Sequence, residues 1–196
     1  AYAFTKYVNV YFKQKWQMRK NPVTKPFLAK NSELEAQESL DLFKLIMRFM
    51  NDPTLLGKRE KIIADYIVQQ GISYPRLRDE IYVQICNQTL LNHNDANNER
   101  GWLLMTHCLS CFPPSSTIAK YLLKYVSDQA YNGYKWFCQQ KLLQCYELDP
   151  ELSRWYPPCL LEWKAARKRA GMAVEVRLPD GGISVGHVES WTSSEE

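Results

Sequence analysis

From Trp102 to Phe112 the chain carries only Thr106 and Ser110 as a weak polar stripe, and Pro113-Pro114 ends the run. A helix that is apolar around its circumference has to be enclosed by other elements. The rest of the chain must therefore supply a shell around this segment, which the pattern predicts to be the central core helix, with Trp102, Leu103, Leu104, Leu109 and Phe112 inside.

The flanking sequence has the period such a shell needs. Phe4, Tyr7, Val8, Tyr11 and Phe12 recur at i, i+3, i+4, i+7 and i+8, one face of a first helix that Asn21-Pro22 ends. Residues 21–38, with Pro22 and Pro26, read as a loop. Between Ser39 and Met50 the main polar positions are Asp41, Lys44 and Arg48, a single stripe on an otherwise buried helix, and Asp52-Pro53 stops it. A third helix spans Lys58 to Gln70, with Ile62, Ile63, Tyr66 and Ile67 expected inward and Gly71 at its C-terminus. Leu77, Ile81, Ile85 and Gln88 mark a fourth after Pro75, and Asn92 to Asn98 reads as a loop. Beyond the core helix, Ser115 or Ser116 can cap a helix with Ile118, Leu122 and Val126 inward and Lys120 and Lys124 outward. Two more helices follow, Asn132 to Tyr146 and Cys159 to Ala170, separated by Pro157-Pro158. The expected fold is all-α, a bundle of about seven to nine helices over residues 1–170.

At Gly171 the period changes from helical to alternating. Ala173, Val174, Val176 and Leu178 suggest one strand, Pro179-Asp180-Gly181-Gly182 a turn, and Ile183, Val185 and Val188 a second strand. Thr192-x-x-Glu195 looks like a capping box at the start of another helix. Two strands alone are marginal in water, so residues 171–196 read as the truncated beginning of a second domain.

Composition excludes several classes. Hydrophobic residues make up 45% and charged residues 23%, which argues against wholesale disorder. No apolar run approaches the ~20 residues of a membrane-spanning helix, and Ala1 does not open onto a signal peptide. Without such a signal the six cysteines read as reduced thiols. His107-Cys108-x-x-Cys111 is the best zinc or redox candidate. It lies in the apolar helix with no second ligand pair at finger spacing, so buried structural thiols are the better reading, and Cys138 and Cys145 take the same one. His93 reads as a solvated loop residue. Glycine-rich phosphate loops, His-Glu-x-x-His and Gly-x-Ser-x-Gly do not occur. No catalytic site, metal or cofactor is expected.

Charge is distributed unevenly. Residues 1–32 hold seven basic side chains, among them Lys13, Lys15, Arg19 and Lys20, and no acidic one, whereas the remainder sums to −3. Such a segment attracts acidic protein, anionic lipid or nucleic acid without distinguishing them, and a solvated helix face is the simpler alternative. Lys164, Arg167 and Lys168 lie at i, i+3 and i+4, side by side on a helix with Arg169 adjacent, and Lys120 and Lys124 form a smaller pair.

Several segments together resemble the myosin tail homology 4 domain of unconventional myosin tails. Leu77-Arg78-Asp79-Glu80-Ile81-Tyr82 with Gln84-Ile85 and Gln88 resembles the family's most recognisable helix. Glu99-Arg100-Gly101-Trp102-Leu103-Leu104, running into Cys111-Phe112-Pro113-Pro114-Ser115, resembles its central helix and the exit from it. Ile46 to Met50 is similar to an earlier core helix, although Asn51 stands where a glycine is usual, and Pro157-Pro158 with Leu161-Glu162 and Ala165 matches the closing segment. The resemblance covers roughly residues 2–170. It implies that a FERM domain follows, with 171–196 the start of its ubiquitin-like first lobe. It also implies a non-enzymatic, cytoplasmic and cytoskeleton-associated adaptor that binds cargo with FERM, and in some members microtubules. The partners it suggests are acidic cargo peptides and the acidic tails of tubulin; the spacing of the basic residues, not the resemblance, makes one of the Lys120/Lys124 and Lys164/Arg167/Lys168 clusters, with the basic residues of 13–30, the expected docking surface. A basic helical domain binding nucleic acid or anionic membrane is the alternative, with nucleic acid not expected and membrane contact weak or indirect. Arg78, Asp79 and Glu80 are expected to make structural ion pairs rather than to contact cargo.

Overall fold

The structure is a computed structural model and describes residues 1–146, 148–149 and 152–192. Eight helices and one hairpin occur among them: α1 Phe4–Tyr11, α2 Glu33–Asn51, α3 Lys58–Ser73, α4 Pro75–Thr89, α5 Asp95–Leu109, α6 Ser116–Gln129, α7 Tyr134–Tyr146, α8 Leu160–Lys168, β1 Met172–Arg177 and β2 Ile183–Val188. The expected central helix is central: α5 touches α2, α3, α4, α7 and α8. Trp102, Leu103, Leu104, Leu109 and Phe112 are all buried, and Trp102 stacks on Tyr125 of α6 with ring centroids 5.9 Å apart. It shares that position with α4, buried from Leu77 to Thr89 except at Asp79.

Where the structure departs from the expected boundaries, a side chain is the cause. The first helix stops at Tyr11, ten residues before Asn21-Pro22, and the chain from Phe12 to Ser32 runs as an irregular strap. An aromatic series holds the strap, with Phe12 against Phe27 and Phe27 against Phe43 of α2. α2 begins at Glu33, not Ser39, because Ser32 accepts a hydrogen bond from the Glu35 N–H (3.2 Å) while the Glu35 carboxylate accepts from the Asn31 N–H (3.1 Å). α5 likewise starts at Asp95 inside the expected loop, capped by the Asn94 side chain on the Asn97 N–H (3.0 Å). Ser115 occupies the cap position of α6 but makes no side-chain cap.

α3 is rotated from the expected face. Ile62 and Tyr66 point outward, 65% and 54% exposed, while Glu60, Ala64, Ile67, Val68 and Gly71 are buried. Glu60 turns inward because Arg100 and Arg167 meet it there. Gly71 does not cap the helix, which continues to Ser73; it lies so close to Phe112 that a Cβ would stand 2.3 Å from the ring.

The hairpin is antiparallel, with Met172 opposite Val188 and Arg177 opposite Ile183. Gly181 at φ +84° takes the left-handed turn position. Among the described residues, α8 is the only helix with more than incidental contact to a strand. Glu195 of the expected capping box lies outside the described residues.

Candidate partner-binding surface

The most distinctive motif of the sequence turns out to be internal. Arg78, Asp79 and Glu80 are consecutive on α4 and point to three different segments. Glu80 is fully buried, and its two oxygens accept from the N–H groups of Phe27 and Leu28, both at 2.9 Å, with Lys30 Nζ 3.3 Å away. Asp79 accepts from the N–H of Ser115 (2.9 Å) and from its hydroxyl, fixing the start of α6 from outside the helix. Arg78 donates to the carbonyls of Gly71 (2.9 Å) and Leu152 (3.3 Å) and lies over the Phe112 ring. The expectation of a structural role holds: the partners described are largely backbone groups, and Lys30 pairs with Glu80.

The same contacts tie down much of the basic N-terminal segment. Lys30 is used on Glu80, and its side chain is 7% exposed. The backbone of Arg19 exchanges hydrogen bonds with the Gln88 amide (2.9 and 3.0 Å), and its guanidinium donates to Gln14 and to the Lys15 carbonyl. Lys13, Lys15 and Lys20 stay exposed on the strap, in no ion pair among the described residues.

The C-terminal cluster is split. Arg167 is bound to the buried Glu60 at 2.6 Å and lies over Trp163, and Arg169 pairs with Glu99 at 2.9 Å. Arg100, 3.5 Å from Glu60, donates to the carbonyls of Asp52 (2.6 Å) and Leu55 (2.7 Å), so one buried carboxylate joins α3, α5 and α8. Lys164 and Lys168 are exposed and enter no ion pair among the described residues. At about 100° per residue they fan outward from Arg167 on one side of α8. The Glu60–Arg167 contact ties this helix to the first turn of α3, where Lys58 and Arg59 are also exposed and in no described ion pair. These two residues are absent from the sequence-derived set. They stand about a hundred positions from α8, and no local spacing links them to it.

On α6, Lys124 is paired with Asp128, whereas Lys120 has no carboxylate partner among the described residues and lies 5.5 Å over the Tyr2 ring. By backbone packing α1 lies against α6 and α8 against α5, and α8 reaches α3 through the Arg167–Glu60 pair. The N-terminal and α8 clusters thus rest on separate elements.

The thiols are enclosed. Cys86, Cys108, Cys111, Cys138 and Cys145 are buried, Cys159 is exposed, and all six are free. Burial raises the thiol pKa of Cys108 and pushes Cys111 up to about 12, which leaves neither thiol reactive at neutral pH. Among the described residues no cluster of three His, Cys, Asp or Glu could hold a metal. Between α5 and α8, the His107 ring stacks on Trp163, 4.4 Å apart and 6° from parallel, with neither nitrogen hydrogen-bonded among the described residues. Burial, reinforced by Lys141, Lys61, Arg167 and Arg154, holds its pKa well below 6.5.

Comparison with known proteins gives this geometry a context. The MyTH4 domain family profile matches residues 64–165. The chain is 43% identical to human unconventional myosin-XV over its whole length and 37% identical to mouse unconventional myosin-VIIb over 67% of it. It spans 6% of the length of each of these relatives. The MyTH4-FERM MF1 domain of Dictyostelium discoideum myosin VII superimposes with a TM-score of 0.82 at 24% identity, covering 97% of this chain and 42% of that one. The C-terminal MyTH4-FERM domain of human myosin 7b, solved in complex with the harmonin-a PDZ3 domain, gives 0.81 at 22% identity, covering 96% of this chain and 40% of that one.

Proposed function

The chain belongs to the MyTH4 domain family of unconventional myosin tails, and from that premise we propose that it is a non-enzymatic adaptor that docks an acidic segment of a protein partner. In this reading residues 1–170 are the helical tail domain, and 171–196 open the first lobe of a FERM domain that shares the cargo. The adaptor works in the cytoplasm on the cytoskeleton. One observation carries the choice of surface: Lys164, Lys168, Lys58 and Arg59 are exposed and enter no described ion pair, on two helices clamped together by Glu60. Unneutralised cations on a rigid base attract an acidic partner and make its binding fall as salt rises. Acidic cargo peptides and the acidic tails of tubulin have the matching charge.

The test is cosedimentation with microtubules, anionic liposomes and duplex DNA in parallel, with titration by an acidic peptide. The variant is Lys58→Glu/Lys164→Glu/Lys168→Glu, which leaves the Arg167–Glu60 pair in place and should keep native helix content. The reading expects binding to microtubules or acidic peptide that weakens about tenfold in the variant, equivalent to ~1.4 kcal/mol. Unchanged binding at low salt removes this surface from the docking role. Preferential binding to DNA or liposomes replaces the adaptor reading with the nucleic-acid or membrane one.

A further inference from the structure

A second surface has a different chemistry. Where Pro113-Pro114 separates α5 from α6, the chain leaves a cleft of ≈ 210 Å³ against α7, walled by Pro113, Pro114, Ala119, Leu142, Cys145 and Tyr146. This is below the about 300–1,000 Å³ of small-molecule sites and of the order of one large side chain. The floor is fixed: Pro113, Pro114, Ala119, Leu142 and Cys145 are all buried side chains of the core layer. Lys120 also lines the cleft and is exposed. Its neighbour one turn on, Lys124, is neutralised by Asp128, but Lys120 has no carboxylate partner among the described residues and lies over the Tyr2 ring. None of the described lining residues is acidic. An apolar slot with an unneutralised ammonium on its lining is complementary to an apolar side chain flanked by carboxylates.

We propose that the α6–α7 cleft is a docking site for one large apolar side chain of an acidic linear segment in a partner protein, with Lys120 receiving a flanking carboxylate. The proposal rests on the adaptor reading and adds to it a side-chain requirement that a purely electrostatic surface does not have. The slot reads shape through burial of the anchor, and Lys120 selects the charge of the residues around it. Such a site discriminates among acidic segments that the α8 surface treats alike.

The probe is the acetylated, amidated pentapeptide EEFEE, titrated into the isotopically labelled chain while backbone amide shifts are followed by NMR. Shifts should appear at Ala119, Lys120, Leu142 and Tyr146. The peptide EEAEE should bind this site at least tenfold more weakly, and KKFKK should not bind it. Lys120→Glu should weaken EEFEE about tenfold while leaving the helix content unchanged. Ala119→Leu should abolish the cleft shifts by filling the slot; should that variant not fold, Tyr146→Ala removes a wall from a partly exposed position and should weaken binding likewise. The Lys58→Glu/Lys164→Glu/Lys168→Glu protein should keep the cleft shifts, which separates the two surfaces. Equal binding of EEFEE and EEAEE, shifts confined to α3 and α8, or full EEFEE affinity in the Lys120→Glu protein overturns the proposal. The first two of these outcomes leave the adaptor reading standing.

Discussion

Glu80 illustrates what single residues do in this fold. Its carboxylate satisfies two backbone N–H groups of an irregular segment that has few ladder partners of its own, and it receives a lysine from the same segment. Glu80→Ala would leave two buried donors and a mostly buried ammonium without their acceptor, at a cost of about 3–5 kcal/mol by urea unfolding. A loss below about 1 kcal/mol would mean that the strap is held by its aromatics alone. The sequence makes the structural role of Arg78, Asp79 and Glu80 legible, because three consecutive residues of a helix point in three directions and do not share one outer face. It does not reveal the partners, because backbone acceptors and donors carry no sequence signature. His107 supplies a second prediction at this scale. Its folded pKa is depressed, so the unfolded chain binds the extra proton. Stability from this group is therefore whole above about pH 6.5 and falls as pH drops below it, by at most about 1.4 kcal/mol per pH unit. His107→Phe keeps a flat ring against Trp163 and removes the titration. Its unfolding free energy should match the parent near pH 7.5 within about 1 kcal/mol and decline less between pH 6.5 and 5. Parallel pH profiles would exclude His107 as the source of the acid limb.

At the scale of elements, the helical period identifies which segments are helices, and caps decide where they begin. The Ser32–Glu35 box and the Asn94 cap were both readable as patterns, yet each sits in a polar stretch that reads equally well as loop. Burial direction was legible for α2 and α6, where a polar stripe marks the outer face, and not for α3, where Glu60 is polar and inward because its two arginines come from α5 and α8. Gly71 belongs here too. In most helices Gly→Ala gains about 1 kcal/mol of propensity. At position 71 the new methyl would meet the Phe112 ring, which packs tilted against Tyr82 with centroids 5.4 Å apart and lies under the Arg78 guanidinium. A ring held on both sides cannot yield, so Gly71→Ala should instead destabilise by about 1–3 kcal/mol. A stabilised Gly71→Ala protein would show that α3 shifts away from α5's exit at little cost.

For the whole molecule the open question is how the hairpin relates to the bundle. Period and turn chemistry made the hairpin itself legible, but its docking depends on side chains more than forty residues away on α7. Gln140 and Gln144 donate to Glu189 at 2.8 and 2.6 Å; Lys141 donates to Ser190, whose hydroxyl also lies 2.7 Å from Glu162; and the Trp191 indole donates to the Leu109 carbonyl at 3.1 Å. Arg154 holds Glu162 through both oxygens at 2.8 Å, so the seam rests on a fixed carboxylate. The strands themselves keep Val174, Val176, Ile183 and Val185 exposed, and an isolated hairpin is marginal. Anchoring through Glu189–Trp191 should therefore set both the orientation and much of the stability of the strands. Trp191→Ala removes the indole hydrogen bond and the largest side chain of the seam, and leaves the helical core layers intact. Hydrogen exchange should then show protection lost across 172–188 by at least tenfold, while amides of α4 and α5 keep theirs and the main thermal transition moves by no more than a few degrees. Strand protection equal to the parent would mean that the hairpin stands without the seam. Loss of protection in α4 and α5 as well would mean that hairpin and bundle unfold as one cooperative unit, with the seam a part of the core.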